Sequence, residues 1–189
     1  TCGTTASLCG IEKGLCEGDE AQVALGIRRD LMMHAAMMCM GGFPMLSSGD
    51  EIGQLNGYGY REDPNLREDS RNLHRTPFDW SAAALRTQPG TVQQRVWDGL
   101  RQLERLRAQL AAFGPEARVS TWDTHDPGVL ALVRQTESET LVCLFNFSGQ
   151  TRSIWLDGLE GTYTDLVSGG QGLRQSLEPY QYCLCRREA

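Results

Sequence analysis

The sequence predicts a chain of two parts, an α/β part followed by an all-β part. We expect the first to be the C-terminal part of a (β/α)8 barrel, with its last helix, strand and helix, and the second to be a small antiparallel β-sandwich. Three observations predict this fold class. An apolar pattern of helical period passes through two glycines into a short apolar strand, that strand opens into a long charged loop, and the period becomes two after residue 118.

Composition narrows the function classes. The chain has 189 residues, 40% hydrophobic and 22% charged, so it can bury a sizeable core. Its net charge of −6 argues against a nucleic-acid partner, and its longest apolar run, residues 31–40, is too short to cross a membrane. Seven cysteines without a C-x-x-C pair favour free thiols in a reducing compartment, the cytoplasm. Cys183 and Cys185 are expected to pack on one face of a strand.

The first barrel element is predicted to be a largely buried helix over residues 21–40. Its apolar residues recur at spacings of three and four: Val23, Ile27, Leu31, Ala35 and Met38. We interpret its further methionines and His34 as core residues and not as ligands. Gly41 and Gly42 end the helix, and residues 43–47 are predicted to form the strand.

The rest of the chain divides into a loop, a helix and short strands. Residues 48–89 are predicted to be a loop, because glycines and prolines punctuate them. A helix is predicted over 91–113, with Thr91 as its N-cap, and a domain boundary over 114–118. Seven candidate strands follow, over 119–124, 129–135, 141–148, 152–156, 162–165, 173–177 and 180–185. Their spacing predicts a β-sandwich.

The predicted loop carries twelve ionisable residues within thirty positions, interleaved with aromatic residues. Carboxylates and guanidinium groups can bind sugar hydroxyls, so we interpret the loop as one wall of a sugar site; a solvated surface is the alternative. A retaining glycosidase needs two carboxyl groups about 5–5.5 Å apart. Asp50 and Glu51 are adjacent at the predicted strand end and should point in opposite directions, so they cannot be that pair. We predict no catalytic residue, metal site or cofactor in this chain.

Several motifs resemble those of one enzyme family. Residues 41–56, G-G-F-P-M-L-S-S-G-D-E-I-G-Q-L-N, resemble the last-strand motif of the α-amylase family of glycoside hydrolases, G-x-P-x-x-x-x-G-D/E-E. Residues 68–75, E-D-S-R-N-L-H-R, resemble the D-D-S-R-W-x-H-R signature of its amylosucrase branch. Residues 2–10 resemble the S-G-T-x-A-S/A-L-x-G stretch of that branch. F-N-F-S at 145–148 and E-P-Y-Q at 178–181 are similar to the family's terminal β-domain.

The resemblance implies that the chain is the C-terminal segment of a retaining α-glucoside-acting enzyme. An amylosucrase-like enzyme, which transfers glucosyl units from sucrose to an α-glucan, fits the signature best. Residues 1–18 would end an inserted subdomain, 19–114 would form the C-terminal portion of the catalytic barrel, and 115–189 would form the β-sandwich domain. The family's three catalytic carboxylates would precede Thr1, so the segment alone should be inactive.

The resemblance also implies the substrate-binding residues. Arg71 matches a loop arginine that ion-pairs across the glucose pocket of sucrose-acting members, and Asp69 stands beside it. Asp50 and Glu51 match the strand-end acids, which we expect to hold the loop more than to contact sugar.

Two alternatives stay open. Asn72-Leu73 replaces the branch's Trp-x, and residues 76–80, T-P-F-D-W, resemble a run of oligosaccharide-cleaving members, so hydrolysis of α-glucosides is one alternative. A non-catalytic carbohydrate-binding or structural β-module is the other. The expected partners are an α-glucoside or sucrose-type carbohydrate, the rest of the barrel of the same protein, and a second copy bound through the exposed half-barrel surface.

Overall fold

The computed structural model describes residues 2–188 as a mixture of helices and antiparallel strands. The α-helices are α1 Thr5–Leu8, α2 Ile11–Glu17, α3 Glu20–Cys39, α4 Trp80–Ala84 and α5 Val92–Gln109. The strands are β1 Arg118–Trp122, β2 Val129–Gln135, β3 Thr140–Asn146, β4 Arg152–Ser153, β5 Tyr163–Asp165, β6 Ser176–Leu177 and β7 Tyr182–Arg187. Short 3-10 turns occupy Asp50–Ile52, Tyr58–Glu62, Ser70–Leu73, Leu85–Thr87 and Ala111–Phe113.

The chain forms two compact units that interleave along the sequence. One unit contains the residues up to Leu31 together with Met45–Leu100, and the other contains Met32–Pro44 together with the residues from Arg101 onward. Helices α3 and α5 therefore each contribute residues to both units. These units differ from the predicted domains, which divide a barrel part from a β-sandwich at residues 114–118. That domain boundary stays a prediction.

In the first unit, α2 and α3 pack almost backbone to backbone. A Cβ on Gly14 would lie 2.7 Å from the Val23 nitrogen, and a Cβ on Gly26 would lie 2.8 Å from the Ile11 nitrogen. Only glycine allows this separation, because real side chains do not approach a backbone atom so closely. Ile11 and Val23 are accordingly buried, which fixes α3 against the N-terminal helices.

The predicted helices are confirmed, with small changes at their ends. Helix α3 covers residues 20–39, where residues 21–40 were predicted. Its His34 is buried, as expected of a core histidine. Helix α5 ends at Gln109, before the predicted residue 113. Leu110 adopts an extended conformation with φ −96° and ψ 125°, so the chain leaves the helix there and makes a 3-10 turn.

Within the second unit the strands form a five-stranded sheet, in the order β1-β2-β3-β7-β5, and a two-stranded sheet of β4 and β6. All the adjacent pairs are antiparallel. The central register aligns Ala131 with Leu144, and Leu144 with Cys183. These side chains share one buried cluster with Ile154 and with Leu177 of β6. Both sheets therefore contribute to a common core, as the period of two predicts.

The opposite face of the large sheet is buried as well. Buried residues on that face are Leu132, Arg134, Leu141, Cys143, Phe145 and Leu184. This explains why residues 141–145 read as an uninterrupted apolar run, since a strand covered on both sides needs apolar residues at every position.

Arg134 is the charged member of this buried face. Its Nε donates to the Ala112 carbonyl at 2.7 Å, and its Nη1 donates to the Cys39 and Met40 carbonyls at 2.9 and 3.3 Å. Burial lowers the pKa of its guanidinium, because it disfavours the charged form. The last carbonyls of α3 lack intrahelical donors, so Arg134 supplies the hydrogen bonds that the helix end needs.

One predicted element is wrong: residues 43–47 form no strand. The segment has no strand partner among the described residues, and the side chains of Phe43 and Met45 are 98% and 85% exposed. A strand exists only through hydrogen bonds to a neighbouring strand, and an apolar pattern does not supply that neighbour. The predicted loop after it is also more ordered than expected, since it contains 3-10 turns and α4.

The seven cysteines are free, as their odd number and spacing suggest. Cys183 and Cys185 belong to the same buried cluster, which confirms that they pack on one face. Burial raises the pKa of Cys9 and of Cys185 from 9.0 to about 12. Of the described helices, none combines the length and the apolar character that a membrane crossing requires.

We predict that Arg134→Met lowers the free energy of unfolding by about 3 kcal/mol, because three carbonyl oxygens lose a charged donor. Urea denaturation followed by circular dichroism measures this. Arg118→Ala, at an exposed position of β1, is the control and should change stability by less than about 0.5 kcal/mol. Equal stabilities of the two variants would contradict the role of Arg134.

Thiol reactivity in the native protein should follow burial. Cys16 is exposed and should react first with a disulfide reagent at pH 8, Cys2 should react more slowly, and the five buried cysteines only after unfolding. Burial keeps the reagent away from all five, and it also raises the pKa of Cys9, Cys143, Cys183 and Cys185, so these four thiols stay protonated. Cys16→Ser should remove the fast phase, and a third thiol reacting before unfolding would contradict the structure.

Candidate functional site

The charged loop begins with a sharp turn that uses both of the acids predicted at a strand end. Gly49, with φ +99°, reverses the chain into the 3-10 turn Asp50–Ile52. An Asp50 carboxylate oxygen accepts from the Ser47 amide at 3.1 Å, and a Glu51 carboxylate oxygen accepts from the Gly49 amide at 2.8 Å. The expectation that the two side chains alternate across a strand is therefore wrong, because the residues lie in a helical turn. Each carboxylate binds the backbone of its own turn.

Asp69 and Arg71 form a two-point ion pair. The Nε of Arg71 lies 2.8 Å from one carboxylate oxygen of Asp69, and its Nη2 lies 2.7 Å from the other. Asp69 also accepts from the Arg71 amide at 3.0 Å, which caps the 3-10 turn Ser70–Leu73. The sequence named both residues as candidates and expected Arg71 to pair with an acid across the pocket, whereas in this chain its carboxylate partner is Asp69, two residues before it.

The guanidinium of Arg71 keeps one edge available. Its side chain is 62% exposed, and among the described residues no hydrogen bond engages its Nη1. The hydrogen bonds from Arg71 lower the pKa of Asp69 from 3.8 to about 2. The pair is thus charged at neutral pH, and the free edge of Arg71 can donate to a ligand oxygen.

Two amide side chains, which sequence reasoning missed, organise the loop. Gln54 donates to the Thr76 hydroxyl at 2.6 Å and accepts from the Asp79 amide at 3.0 Å. Asn56 accepts from the Thr4 amide at 2.8 Å and donates to a Glu12 carboxylate oxygen at 3.1 Å. Gln54 joins the two ends of the loop, and Asn56 joins the loop to the N-terminal helices. The sequence signal is weak, because amide residues in a loop usually face water.

These contacts frame two neighbouring cavities. One has a volume of about 320 Å³, and its lining includes Tyr60, Asp63, Asn72 and Arg75. The other has a volume of about 330 Å³, and its lining includes Gln54 and Asp79. Both share Gly57, Thr76 and Pro77. Their size is at the lower end for ligand sites, which suits one small polar group such as a sugar ring.

None of the predicted binding residues lines either cavity. Asp50, Glu51, Asp69 and Arg71 lie outside both linings. The acidic and basic residues that do line them are Asp63, Arg75 and Asp79. Arg75 and Asp79 lie within the motifs at residues 68–75 and 76–80, but the sequence did not single them out as binding residues.

Aromatic rings add to the polar groups of the loop. The Arg61 guanidinium carbon lies 5.2 Å from the ring centroid of Tyr58 and 5.9 Å from that of Tyr60. Such cation–π contacts hold the two rings in place. Among residues 2–188, no group of three His, Cys, Asp or Glu side chains is arranged to hold a metal ion. The loop can therefore offer aromatic faces, carboxylates and guanidinium groups to a polyhydroxylated ligand.

The fold is similar to that of several solved carbohydrate-active enzymes. AmyP E221Q in complex with maltotriose superposes with a TM-score of 0.69 at 18% identity, over 87% of this chain and 35% of that one. An α-amylase from Anoxybacillus gives 0.59 at 21% identity, over 86% and 32%. The trehalulose synthase MutB from Pseudomonas mesoacidophila MX-45 gives 0.65 at 17% identity, over 85% and 38%.

The similarity to these enzymes is one of fold. Identities of 17–21% establish a shared fold, of mixed helices and antiparallel sheet. The chain spans about a third of the length of the enzymes it matches. No family model matches the sequence.

The pKa of Asp69 gives a pH prediction. A carboxyl whose pKa is lowered on folding stabilises the folded loop at high pH, so the stabilisation is complete above about pH 4 and disappears as the pH falls through about 2. Carboxyl-carbon NMR should show Asp69 titrating near pH 2. In Arg71→Gln the midpoint should rise toward 3.8. A wild-type midpoint near 4 would contradict the ion pair.

Proposed function

We propose that this chain is part of a retaining α-glucoside-acting enzyme of the α-amylase family. The observation that carries the proposal is the agreement of two independent features. The motifs at residues 41–56 and 68–75 resemble that family, and the fold is similar to that of an α-amylase and a trehalulose synthase. Glucosyl transfer from sucrose, as in the amylosucrase branch, is our first choice of reaction, on the basis of the E-D-S-R-N-L-H-R signature.

Under this proposal the chain supplies the C-terminal end of the barrel and the β-sandwich domain. The reaction is double displacement, in which one carboxylate attacks the anomeric carbon and a carboxylic acid protonates the leaving oxygen. A sugar hydroxyl or water then resolves the glycosyl-enzyme. We assign these carboxylates to other parts of the enzyme, because Asp50 and Glu51 are committed to backbone amides of their own turn.

The charged loop would form one wall of the sugar site. Arg71 would donate its free Nη1 edge to a substrate hydroxyl or to an acid across the pocket, while Asp69 fixes its orientation. Asp50 and Glu51 would keep the loop in place beneath the sugar. Asp63 and Arg75, which line a cavity of about 320 Å³, support a sugar contact there.

Hydrolysis of α-glucosides is the second candidate, and a specific observation favours it. The T-P-F-D-W run at residues 76–80 is similar to that of oligosaccharide-cleaving members. In the structure Phe78 and Trp80 form an edge-to-face pair with centroids 4.8 Å apart, and Asp79 caps α4. A non-catalytic carbohydrate-binding module is the remaining alternative, which catalytic assays distinguish.

The exposed segment 43–47 supports two of the proposed partners. The side chain of Phe43 is 98% exposed and that of Met45 is 85% exposed, which is costly for apolar residues of this size. Further barrel strands of the same protein would cover them, and in the isolated chain a second copy would do so.

The free cysteines are consistent with a reducing compartment such as the cytoplasm.

The test is an activity assay with matched arginine variants. In the enzyme that contains this chain, Arg71→Ala should lower kcat/KM for sucrose by about tenfold or more, because a substrate-binding donor is lost. Arg67→Ala is the control and should leave kcat/KM unchanged. Arg67 lies in the same loop, is similarly exposed and also pairs with an adjacent acid, Glu68, at 3.2 Å.

Two results would contradict the proposal. Unchanged sucrose and maltooligosaccharide turnover in Arg71→Ala would remove the pocket role of this arginine. Turnover of either substrate by the 189-residue chain alone would show that the reacting carboxylates are not supplied from elsewhere.

A further inference from the structure

The β-sandwich carries a cluster of aromatic and charged side chains that the proposed catalytic role does not use. The cluster consists of Trp122, Asp123, His125, Trp155 and Asp157. Its residues come from two backbone segments, the end of β1 with the residues after it, and the segment between β4 and the turn at Gly158.

Hydrogen bonds hold these two segments side by side. The Trp155 amide donates to the Thr124 carbonyl at 3.3 Å, and the indole Nε1 of Trp122 donates to the Asp157 carbonyl at 2.9 Å. Near them, the Nε2 of His125 lies 3.2 Å from a carboxylate oxygen of Asp157. Backbone and side-chain contacts thus fix the cluster at one edge of the β-sandwich.

Trp155 and Asp157 point away from the core. Ile154 is buried, and Leu156 packs against the core cluster, whereas Trp155 is 62% exposed and the Asp157 side chain is 85% exposed. Trp155 lies just after β4, and Asp157, two residues later, begins the turn that contains Gly158. An exposed aromatic ring therefore belongs to the same two hydrogen-bonded segments as a carboxylate that His125 already orients.

His125 is itself held in an uncommon conformation. Its φ is +56°, which non-glycine residues rarely adopt, and its amide donates to an Asp123 carboxylate oxygen at 2.9 Å. Its imidazole lies between two carboxylates, with Nδ1 3.7 Å from Asp123 and Nε2 3.2 Å from Asp157. The imidazole contacts keep the polar groups in place before any ligand arrives, which lowers the entropy cost of binding.

We infer that this cluster is a carbohydrate-binding surface that holds a linear α-glucan chain, separate from the loop at residues 48–89. The Trp155 ring stacks on the apolar face of a glucosyl unit, and the Asp157 carboxylate and the His125 imidazole bind its hydroxyl groups. The choice of α-glucan rests on the proposed function, which gives the chain an α-glucoside substrate.

The chemistry of the cluster favours a sugar over an apolar protein partner. A protein interface of this kind would need a contiguous apolar patch, whereas the segments that carry the exposed Trp155 indole also carry the exposed side chains of Asp123, His125 and Asp157. A pyranose ring offers both an apolar face and a rim of hydroxyl groups, so it matches an aromatic ring flanked by carboxylates.

Affinity electrophoresis of the 189-residue chain in native gels with and without soluble amylopectin tests the inference. Amylopectin should retard the wild-type chain, and maltoheptaose should compete. Trp155→Ala should raise the apparent dissociation constant by about tenfold or more, because an aromatic anchor is removed. Phe147→Ala removes another exposed aromatic ring of the same β-sandwich, at a position outside the cluster, and should migrate like wild type.

A second variant keeps the test decisive if Trp155→Ala fails to fold, as judged by circular dichroism. Asp157→Asn preserves the shape of the side chain but removes its charge, and it should weaken binding about threefold or more. Wild-type migration unaffected by amylopectin would overturn the inference, and so would equal retardation of wild type and of a folded Trp155→Ala. Retardation lost equally in Phe147→Ala would indicate a general aromatic surface and overturn it as well.

The outcome is separable from that of the proposed function. Amylopectin binding that depends on Trp155 but comes with no α-glucoside turnover by the enzyme containing this chain would refute only the enzymatic proposal. Turnover with no Trp155-dependent binding would refute only the surface site.

Discussion

The hydrogen bonds of Arg134 join the sheet of the second unit to the chain at the end of α3 and to the 3-10 turn after α5. Arg134 is only 3% exposed, so its guanidinium cannot form hydrogen bonds with water. The carbonyls of Ala112, Cys39 and Met40 accept those hydrogen bonds instead. Those carbonyls belong to a helix end and a 3-10 turn, where backbone acceptors lack donors of their own. The guanidinium of Arg134, on β2, therefore stabilises the end of α3 and the 3-10 turn after α5, and their carbonyls in turn stabilise its buried charge. Phe113 stacks beside the same guanidinium, with its centroid 5.0 Å from the Arg134 carbon.

Most of the fold could be predicted where local sequence determines it. Strand β2 has the predicted bounds, and α3 begins and ends within one residue of prediction, because both carry an uninterrupted period. β4 and β6 are shorter than predicted, since only two residues of each find a partner in the ladder. Residues 43–47 show the same limit more strongly, because an apolar pattern predicts a capacity for pairing and not the pairing itself.

The site was less predictable than the fold, for a physical reason. Asp50 and Glu51 were expected to lie at a strand end and to hold the loop more than contact sugar, and they lie instead in a 3-10 turn, where each binds a nearby amide. Gln54 and Asn56 hold the loop through partners that lie 22 to 52 residues away in sequence. No local pattern indicates such a partner. The Asp69–Arg71 pair was easier to find, because its two residues are close in sequence.

The way in which the loop uses its charges constrains what it can bind. Carboxylates of Asp50, Glu51 and Asp79 are engaged by backbone amides, so they give the loop rigidity and have less capacity left for a ligand. Arg71 keeps one donating edge, since Asp69 engages only its Nε and Nη2. A loop in which several polar groups are already engaged favours recognition by geometry, because the donors and acceptors that remain must meet the ligand without rearrangement. Under the proposed function, that property suits a pocket for one sugar ring better than a broad adaptable surface, and the binding of longer chains falls to the surface proposed around Trp155.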